Sequence, residues 1–352
     1  MYTRTIDNPP KKILVKGLPV FGTFLAPPNK LDIKNLKKPF SIMPLPRFIT
    51  NSRIRGSIEF FFNTDTHAGT IDIVHLGFVC FAETNFWEKS NGKKFSYRSL
   101  IPWRKIVPHH LDQGICFSFR NKRYFRMSWD HIEQSFSFVF NYEGDSVRPN
   151  AVGAFKSDNN KTWAMLTSVI PFPLKNRCSA VHVSSMPIAG SLSTDATKKN
   201  TPSSDFIGQG LFSMRWAFYS LRTKKSIITG FGEWNNKKIS FRIVLGSSEP
   251  VDKNAYNENV LFVDEEATPL PPVVITRPQG IMGVWVIQDT ESMIDVSFKA
   301  FADTKRTLSI LLLRTEYHTM YGQCEGNLLT KNGEEIPLKH FTVIVKKHSL
   351  RL

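Results

Sequence analysis

Residues 115–140 have the sequence ICFSFRNKRYFRMSWDHIEQSFSFVF. Large apolar side chains alternate there with small or polar ones in three runs, over residues 115–120, 124–129 and 134–140. A period of two is typical of β-strands that bury one face, and Asn121-Lys122 between the first two runs predicts a tight hairpin. This stretch therefore predicts consecutive antiparallel strands.

Similar short apolar runs recur on both sides of this stretch, roughly every 8–15 residues, and no long helical period interrupts them. They lie at residues 57–62, 69–81, 226–230, 238–246, 260–264, 283–288, 295–301, 321–329 and 341–345. The Asn332-Gly333 turn between two of them is the strongest hairpin signal in the chain. The pattern predicts a mainly β protein with two antiparallel β-barrels or sandwiches packed side by side.

The first 55 residues differ from the rest of the chain. They are rich in Pro and show no sustained period of 2 or 3.6, which predicts an extended arm over residues 1–55. A polar, Ser/Thr-rich stretch over residues 175–204 separates the remaining runs into two groups. We therefore place the first β domain at residues 56–204 and the second at residues 205–352.

The net charge of +16 is unevenly distributed. Residues 1–55 contain eleven Lys and Arg but two Asp, a net charge of +9, whereas the other 297 residues share +7. Such a basic arm could bind an anionic membrane surface, a nucleic acid or an acidic partner, and a solvated arm without a specific partner is the alternative. The basic segments are not interleaved with a regular aromatic platform, which makes nucleic acid the least favoured of these partners.

Several classes of protein and site are disfavoured by what the sequence lacks. No stretch approaches the roughly 18 apolar residues of a membrane-spanning helix, and the N-terminus has no secretory core, so we expect a cytoplasmic protein. Cys80, Cys116, Cys178 and Cys324 form no CxxC pair and are predicted to be buried, reduced thiols. Adjacent His109 and His110 would face opposite ways on a strand, which disfavours a metal site. Hydrolase, kinase and zincin motifs are missing.

Three motifs in the distal half of the chain carry a family resemblance. They are residues 205–216 (DFIGQGLFSMRW), 258–264 (ENVLFVD) and 317–326 (YHTMYGQCEG). In order and spacing they resemble the domain of unknown function 2804 family, and the likeness extends over roughly residues 25–350. Tyr321 stands where that family usually has Phe, and the ending at residues 345–348 (VKKH) lacks the family's Glu-containing motif.

The resemblance implies a fold similar to the two-lipocalin arrangement of carotenoid hydratases and tocopherol-cyclase-like proteins. In such proteins an apolar cavity near the junction of the barrels receives a hydrophobic molecule. Some members carry out acid-assisted hydration or cyclisation without a metal, and others only bind. We therefore expect this chain to bind a lipid, isoprenoid or polyketide-like molecule in a cavity lined by Phe and Trp, without a cofactor. A cofactor-free lyase or isomerase is the alternative.

Acid-assisted addition to a double bond needs a protonated carboxyl or an imidazolium in an apolar pocket. Asp205, Glu258 and His318 are the candidates for this catalytic role. Each has a structural alternative: a turn-amide hydrogen bond for Asp205, a hairpin-end hydrogen bond for Glu258 and a core position for His318. The enzyme hypothesis requires one of them to point into an apolar pocket without a partner.

The candidate ligand-binding residues are Arg215, Trp216, Trp285 and Tyr321. Packing in a barrel core is the alternative for the two Trp residues. For Arg215 the alternative is a buried ion pair with Asp205 or Glu258 that stabilises the fold.

Overall fold

The computed structural model describes residues 2–40, 45–75, 79–102, 106–120, 122–158, 161–173, 176–194, 204–218, 222–246, 250–310 and 313–351. Within these ranges the chain forms 23 strands and one helix. The helix has six residues, too few to cross a membrane.

The elements, in chain order, are β1 (Leu14–Val15), β2 (Leu18–Pro19), β3 (Gly22–Phe24), α1 (Arg47–Ser52), β4 (Ile54–Thr64), β5 (His67–His75), β6 (Val79–Glu88), β7 (Lys94–Pro102), β8 (Gln113–Arg120), β9 (Arg123–Asp130), β10 (Ser135–Tyr142), β11 (Ala151–Ser157), β12 (Ala164–Pro171), β13 (Cys178–Ser193), β14 (Ser204–Phe218), β15 (Arg222–Trp234), β16 (Lys237–Gly246), β17 (Val260–Val263), β18 (Glu266–Pro269), β19 (Val273–Thr276), β20 (Val284–Asp289), β21 (Ile294–Ile310), β22 (Leu313–Leu329) and β23 (Glu335–Arg351).

Two antiparallel sheets contain nearly all of these strands. The first sheet runs in the order β7-β6-β5-β4-β14-β13-β11-β10-β9-β8, and β12 joins β13 to β3. The second runs in the order β18-β17-β16-β15-β23-β22-β21-β20-β19. Neighbouring strands in each sheet pair in antiparallel orientation throughout. The predicted mainly β fold with two antiparallel units is confirmed.

The first sheet curls until its two ends approach each other. Phe60 on β4 and Phe136 on β10 have ring centroids 4.5 Å apart, although the two strands are separated by β14, β13 and β11. The Tyr142 hydroxyl on β10 is 2.7 Å from Thr84 Oγ1 on β6. Because inward residues alternate with outward ones, the curl fills its interior with Phe, Trp and Tyr side chains.

The second sheet is a more open curl with its own core. Strand β16 lies against β19 across the concave side. Trp285, Phe241 and Phe298 are fully buried there. Strands β22 and β23 are joined at the predicted Asn332-Gly333 turn, and Gly333 takes the left-handed conformation, φ 79°.

The chain passes from the first sheet to the second one strand later than the sequence pattern predicts. Strand β14, which follows the predicted boundary at residues 204 and 205, pairs with β13 and β4 in the first sheet. The chain passes to the second sheet between Phe218 and Arg222. The polar stretch before β14 is therefore a connection within one sheet.

The N-terminal segment packs onto both sheets, so the predicted basic arm is not confirmed, and the alternative of a solvated arm does not hold for its buried part. Leu31 and Ile33 are fully buried in the core of the first sheet, and β3 pairs with β12. Arg4 is 8% exposed and donates to the backbone carbonyls of Asn257 and Asn259. Apolar side chains spaced among the Pro and Lys residues hold the segment in place.

Two smaller predictions have mixed outcomes. Strands β8 and β9 pair up to Arg120 and Arg123, so the predicted hairpin forms, although Asn121 lies outside the described residues. The four cysteines are buried and form no disulfide, as predicted.

Candidate functional site

The outer face of the first sheet packs against the second sheet and creates a layer that neither sheet could build alone. Phe61 and Leu211 from the first sheet meet Phe231 and Ile344 from the second, and all four are fully buried. We call this region the interlayer. The period of two explains it: Phe60 and Phe62 face the interior of the first sheet, so Phe61 faces out.

Three acidic residues of the first sheet stand side by side in the interlayer. Glu59 on β4 is directly opposite Asp72 on β5, and Asp72 is directly opposite Glu83 on β6. Asp72 and Glu83 are 5% and 4% exposed. Acidic side chains in neighbouring register positions repel one another unless cations face them.

Those cations come from the second sheet. Arg242 Nη2 on β16 is 2.7 Å from Glu59 Oε2. Lys346 Nζ on β23 is 3.4 Å from Glu59 Oε1 and makes a close ion pair with Asp72 Oδ1. The side chains of Arg242 and Lys346 are fully buried, and Lys346 Nζ lies 4.1 Å from the centre of the Phe61 ring.

Glu59 and Asp72 differ in how strongly these cations act on them. Burial alone would raise the pKa of Glu59, but Lys346 and Arg242 outweigh it and hold that pKa well below its ordinary value. Burial raises the pKa of Asp72 to about 7, because Lys346 compensates only in part and Glu59 adds a like charge. Burial and Glu59 thus favour the protonated form of Asp72, and the ion pair with Lys346 opposes them.

A second ion cluster continues the interlayer toward β14. Glu258 makes a close ion pair with Arg215, and its Oε1 is 3.1 Å from Lys225 Nζ. Arg215 and Lys225 lower the pKa of Glu258 to about 2 despite its burial. Burial and the neighbouring Arg215 lower the pKa of Lys225 to about 7. Of the two pairings expected for Arg215, the one with Glu258 is present.

Polar atoms without a hydrogen-bond partner concentrate in the interlayer. Among the described residues, Asp72 Oδ2, Thr70 Oγ1 and Trp87 Nε1 on the first sheet are buried and have no partner. Both amide atoms of Asn85 share this property, and so do Nε and Nη1 of Arg242 across the interlayer. Buried polar groups are nearly always satisfied, so these atoms are candidates for contacts with a polar ligand or water.

The structure gives ion-pair or hydrogen-bond partners to two of the three predicted catalytic residues, Glu258 and His318. Glu258 is ionised by two cations, so it does not supply a proton at neutral pH. His318 is 2.7 Å from Asp303 Oδ2 through Nδ1 and 3.2 Å from Glu316 Oε1 through Nε2, so both ring nitrogens have partners. Asp205 on β14 pairs through its backbone with Ser191 on β13, and the Asp205 side chain lies outside the described part of the structure.

The predicted ligand-binding aromatics divide between the cores and the interlayer. Trp216 and Trp285 are 2% and 0% exposed in the first and second cores. Their indole N–H groups donate to the backbone carbonyls of Pro108 and Ile281 at 3.1 and 2.8 Å. Tyr321 instead faces the interlayer, where its ring stacks on that of Trp87 with the two ring centroids 5.5 Å apart.

A buried histidine pair forms a separate polar site inside the first sheet. His131 Nε2 is 2.8 Å from His182 Nε2, His131 Nδ1 is 2.7 Å from the Leu111 carbonyl, and His182 Nδ1 is 2.9 Å from Thr167 Oγ1. Burial lowers the pKa of His131 to about 4 and holds that of His182 far below its ordinary value. Both rings are therefore neutral at pH 7.

Neutral rings fix the direction of these hydrogen bonds. His131 Nδ1 must donate to the Leu111 carbonyl, so its Nε2 accepts from His182 Nε2–H. His182 Nδ1 then accepts the Thr167 hydroxyl, and the Ala26 carbonyl, 3.2 Å from Thr167 Oγ1, is the competing acceptor.

No metal centre accompanies these sites in the part of the chain that the structure describes. Groups of three or more His, Cys, Asp or Glu with metal-binding geometry are missing there. His109 stacks on Trp216 at 3.8 Å. A cleft of about 610 Å³ opens between the sheets beside β17 and β18, but its lining is polar and includes Lys161, Asp264 and Glu334.

The fold and the interlayer define a class of protein with two curled β-sheets joined across a buried, charged layer. The chain belongs to the domain of unknown function 2804 family (DUF2804), whose model matches residues 20–352. A comparison with curated proteins finds no match in sequence.

Distant similarities to solved structures accompany this assignment. A putative AttH (NE1406) from Nitrosomonas europaea is 7% identical with a TM-score of 0.48, over 85% of this chain and 92% of that one. CghA, solved with Sch210972, is 8% identical with a TM-score of 0.45, over 84% and 88%. Kievitone hydratase from Nectria haematococca is 9% identical with a TM-score of 0.42, over 84% and 88%.

Proposed function

We propose that the protein is a cofactor-free lyase or isomerase that binds a small, largely apolar molecule in the interlayer and transfers a proton to it from Asp72. The observation that carries the proposal is the placement of Asp72: one carboxyl oxygen is held by Lys346, and the other, Oδ2, is buried without a partner in the described structure.

The surroundings of Asp72 suit acid catalysis on an apolar substrate. Phe61 and Trp87 supply apolar surface on the first sheet, and Tyr321 and Ile344 supply it from the second. Thr70, Asn85 and Thr229 offer unpaired polar atoms that can bind oxygen functions of a ligand. An acid with a pKa near the working pH transfers protons efficiently in both directions.

The reaction balances without a metal or an oxidant. The Asp72 O–H bond breaks and its proton forms a new C–H bond at one carbon of a double bond, which leaves positive charge on the other carbon. In a lyase of the hydratase type, water adds to that carbon and returns a proton to the Asp72 carboxylate. In an isomerase, a neighbouring C–H bond breaks instead and its proton returns to Asp72.

Storage of a hydrophobic molecule inside either sheet is less well supported. Phe60, Phe138, Phe140 and Phe155 occupy the interior of the first sheet, and Trp285 with its neighbours occupies the second. The cavity expected from the sequence, lined by Phe and Trp, stays a prediction.

The test uses purified protein, an organic cell extract and deuterium oxide as solvent. Mass spectrometry identifies compounds that gain deuterium on carbon, either together with a water molecule added across the double bond or without one. We expect such products with the wild-type chain and a loss of at least about 100-fold in rate for Asp72→Asn, in line with the usual contribution of a general acid.

Asp65→Asn provides the matched control, because Asp65 lies exposed at the turn of the same β4–β5 hairpin. It should react like the wild type. Equal rates for folded Asp72→Asn and wild-type protein would refute the proposal, and so would a folded wild-type chain that labels nothing.

A further inference from the structure

We infer that the edge of the interlayer at β7 and β21 binds the anionic head group of the substrate, which is therefore an amphipathic acid with an apolar body. This inference rests on the proposed function and names its substrate class. The head group is a carboxylate or a phosphate, and both present oxygens to the same cations.

Cations outnumber acids at this edge of the interlayer. Lys94 and Arg98 lie on β7 and Arg306 lies on β21, and Glu83 is the acid between them. Arg306 makes a close ion pair with Glu83, and Arg98 Nε is 3.3 Å from Glu83 Oε1. Lys94 Nζ contacts the Thr304 hydroxyl instead of an acid. One carboxylate thus faces three cations.

Neighbouring charges do not remove this excess. Arg148 donates to the Ser96 carbonyl at 3.2 Å, but it is neutralised by its own ion pair with Asp145. Asp303 acts on Lys94 more weakly than Arg306 does, and its carboxylate pairs with His318. Burial and the nearby Arg306 lower the pKa of Lys94 to about 8, as expected for an ammonium among cations.

A buried amide supplies the second, independent observation. Asn85 on β6 is 1% exposed, and its Nδ2 and Oδ1 both lack a partner among the described residues. It is directly opposite Ser96, whose Oγ accepts from Arg306 Nη2 at 3.0 Å. Arg306 Nε is also without a partner there. An amide N–H₂ and a guanidinium that both neighbour Ser96 match the oxygens of one anionic head group.

The edge is open enough for a head group and continuous with an apolar surface. The Arg98 and Arg306 side chains are 47% and 19% exposed, whereas Glu83 is 5% exposed. Lys94 Nζ lies 5.6 Å from the centre of the Trp87 ring, which stacks on Tyr321. Trp87 and Tyr321 are 0% and 5% exposed, so an apolar chain would have to enter between these side chains to pass from the cations into the interlayer.

The strand spacing sets the distance between the head group and the reacting carbon. Asp72 on β5 is two strands from β7, and adjacent strands are about 4.8 Å apart, so the two sites are about 10 Å apart. The substrate therefore reacts several bonds away from its anionic end.

Equilibrium dialysis of three probes with one chain length tests the inference: dodecanoate, dodecyl phosphate and 1-dodecanol. We expect at least one anion to bind the wild-type protein about tenfold more tightly than the alcohol, and the stronger anion identifies the head group. Arg306→Met and Asn85→Leu should lose this preference without weakening binding of the alcohol.

Two further variants protect the test against misfolding and general charge effects. Arg306→Met leaves Glu83 with fewer cations, so Lys94→Met, which removes no ion pair to Glu83, repeats the measurement in a less disturbed site. Lys299→Met removes an exposed cation from the same strand, β21, and should keep the preference. Wild-type protein that binds all three probes equally, or variants that weaken all three equally, would overturn the inference.

The outcome is separable from that of the proposed function. Deuterium labelling that depends on Asp72, without a preference for anions, would refute the head-group site and still support Asp72 as the acid. A preference for anions that depends on Arg306 and Asn85, without labelling, supports the head-group site and removes the acid.

Discussion

The pKa of Asp72 is raised, whereas the pKa values of Glu59 and Glu258 are lowered, and this difference can be measured through the pH dependence of stability. The folded chain keeps the Asp72 proton up to about pH 7, whereas the unfolded chain releases it near its ordinary value of 3.8. Between these pH values the folded state binds more protons, so the contribution of Asp72 to stability falls as pH rises.

We therefore expect Asp72→Asn to gain stability relative to the wild type as pH increases from 4 to 7. The gain should approach about 1.4 kcal/mol per pH unit at most. Urea denaturation across this range measures it, with Asp65→Asn as a control that shows a constant difference. A constant difference for Asp72→Asn as well would mean that Asp72 is ionised throughout and is no general acid.

Glu258 is expected to contribute strongly to folding. Glu258→Gln leaves Arg215 and Lys225 buried without their shared acid, and breaking a buried ion pair on one side costs about 3–5 kcal/mol. Denaturation at pH 7 measures the loss. Glu334→Gln is the control, because Glu334 is 46% exposed and 3.9 Å from Lys237, so little change is expected. A similarly small effect for Glu258→Gln would show that the cluster is solvated.

The sequence could identify the ion pair of Arg215 but not the acid in the interlayer. Asp72 lies between Ile71 and Ile73, where a period of two predicts a polar side chain facing solvent. It is buried because the second sheet covers that face, and no local pattern encodes this contact. One available signal was Lys346, a cation that directly follows the apolar residues 343–345 of β23.

Among the strands of the first sheet, the histidine pair makes a connection that depends on pH. His182 on β13 links Thr167 on β12 to His131, which follows β9. Because the pKa of His131 is lowered to about 4, the folded chain binds fewer protons than the unfolded chain between pH 6.5 and 4. Stability contributed by the neutral pair is present above pH 6.5 and is lost as pH falls through this window.

We expect acidification from pH 7 to 4 to destabilise the wild-type chain more than a His131→Phe/His182→Phe variant, by up to about 1.4 kcal/mol per pH unit for each histidine. Urea denaturation at several pH values measures the difference. His340→Gln is the control, because the His340 side chain is 71% exposed, and it should follow the wild type. Parallel curves for all three proteins would contradict the role of the pair.

The strands themselves were largely predictable, and their partners were not. Alternating residues in β10 and the Asn332-Gly333 turn correctly indicated a strand and a hairpin. The predicted domain boundary lay before β14 instead of after it, because the polar connection before β14 resembles a domain boundary. The packing of the N-terminal segment was not predictable, because Leu31 and Ile33 complete the first core but form too short an alternating run, among Pro and Lys residues, to indicate a strand.

At the scale of the whole molecule, the interlayer makes the two sheets depend on each other. Separating them would expose Phe61 and Phe231 to water and leave Lys346 apart from Asp72 and Glu59. Both effects oppose unfolding of one sheet while the other stays folded. The two sheets should therefore unfold together, although each has its own core.

Lys346→Met tests this coupling, because it removes the charge that binds both acids of the first sheet to β23. Hydrogen exchange at increasing urea, read by mass spectrometry on β10 and β20, should give coincident transitions for the wild type. In the variant the more open second sheet should unfold at lower urea than the first. Lys347→Met changes the adjacent residue, which points to the other side of β23, and should keep the transitions together. Transitions that already differ in the wild type would mean that the sheets fold independently, and the interlayer would then be a docking surface that forms after each sheet has closed.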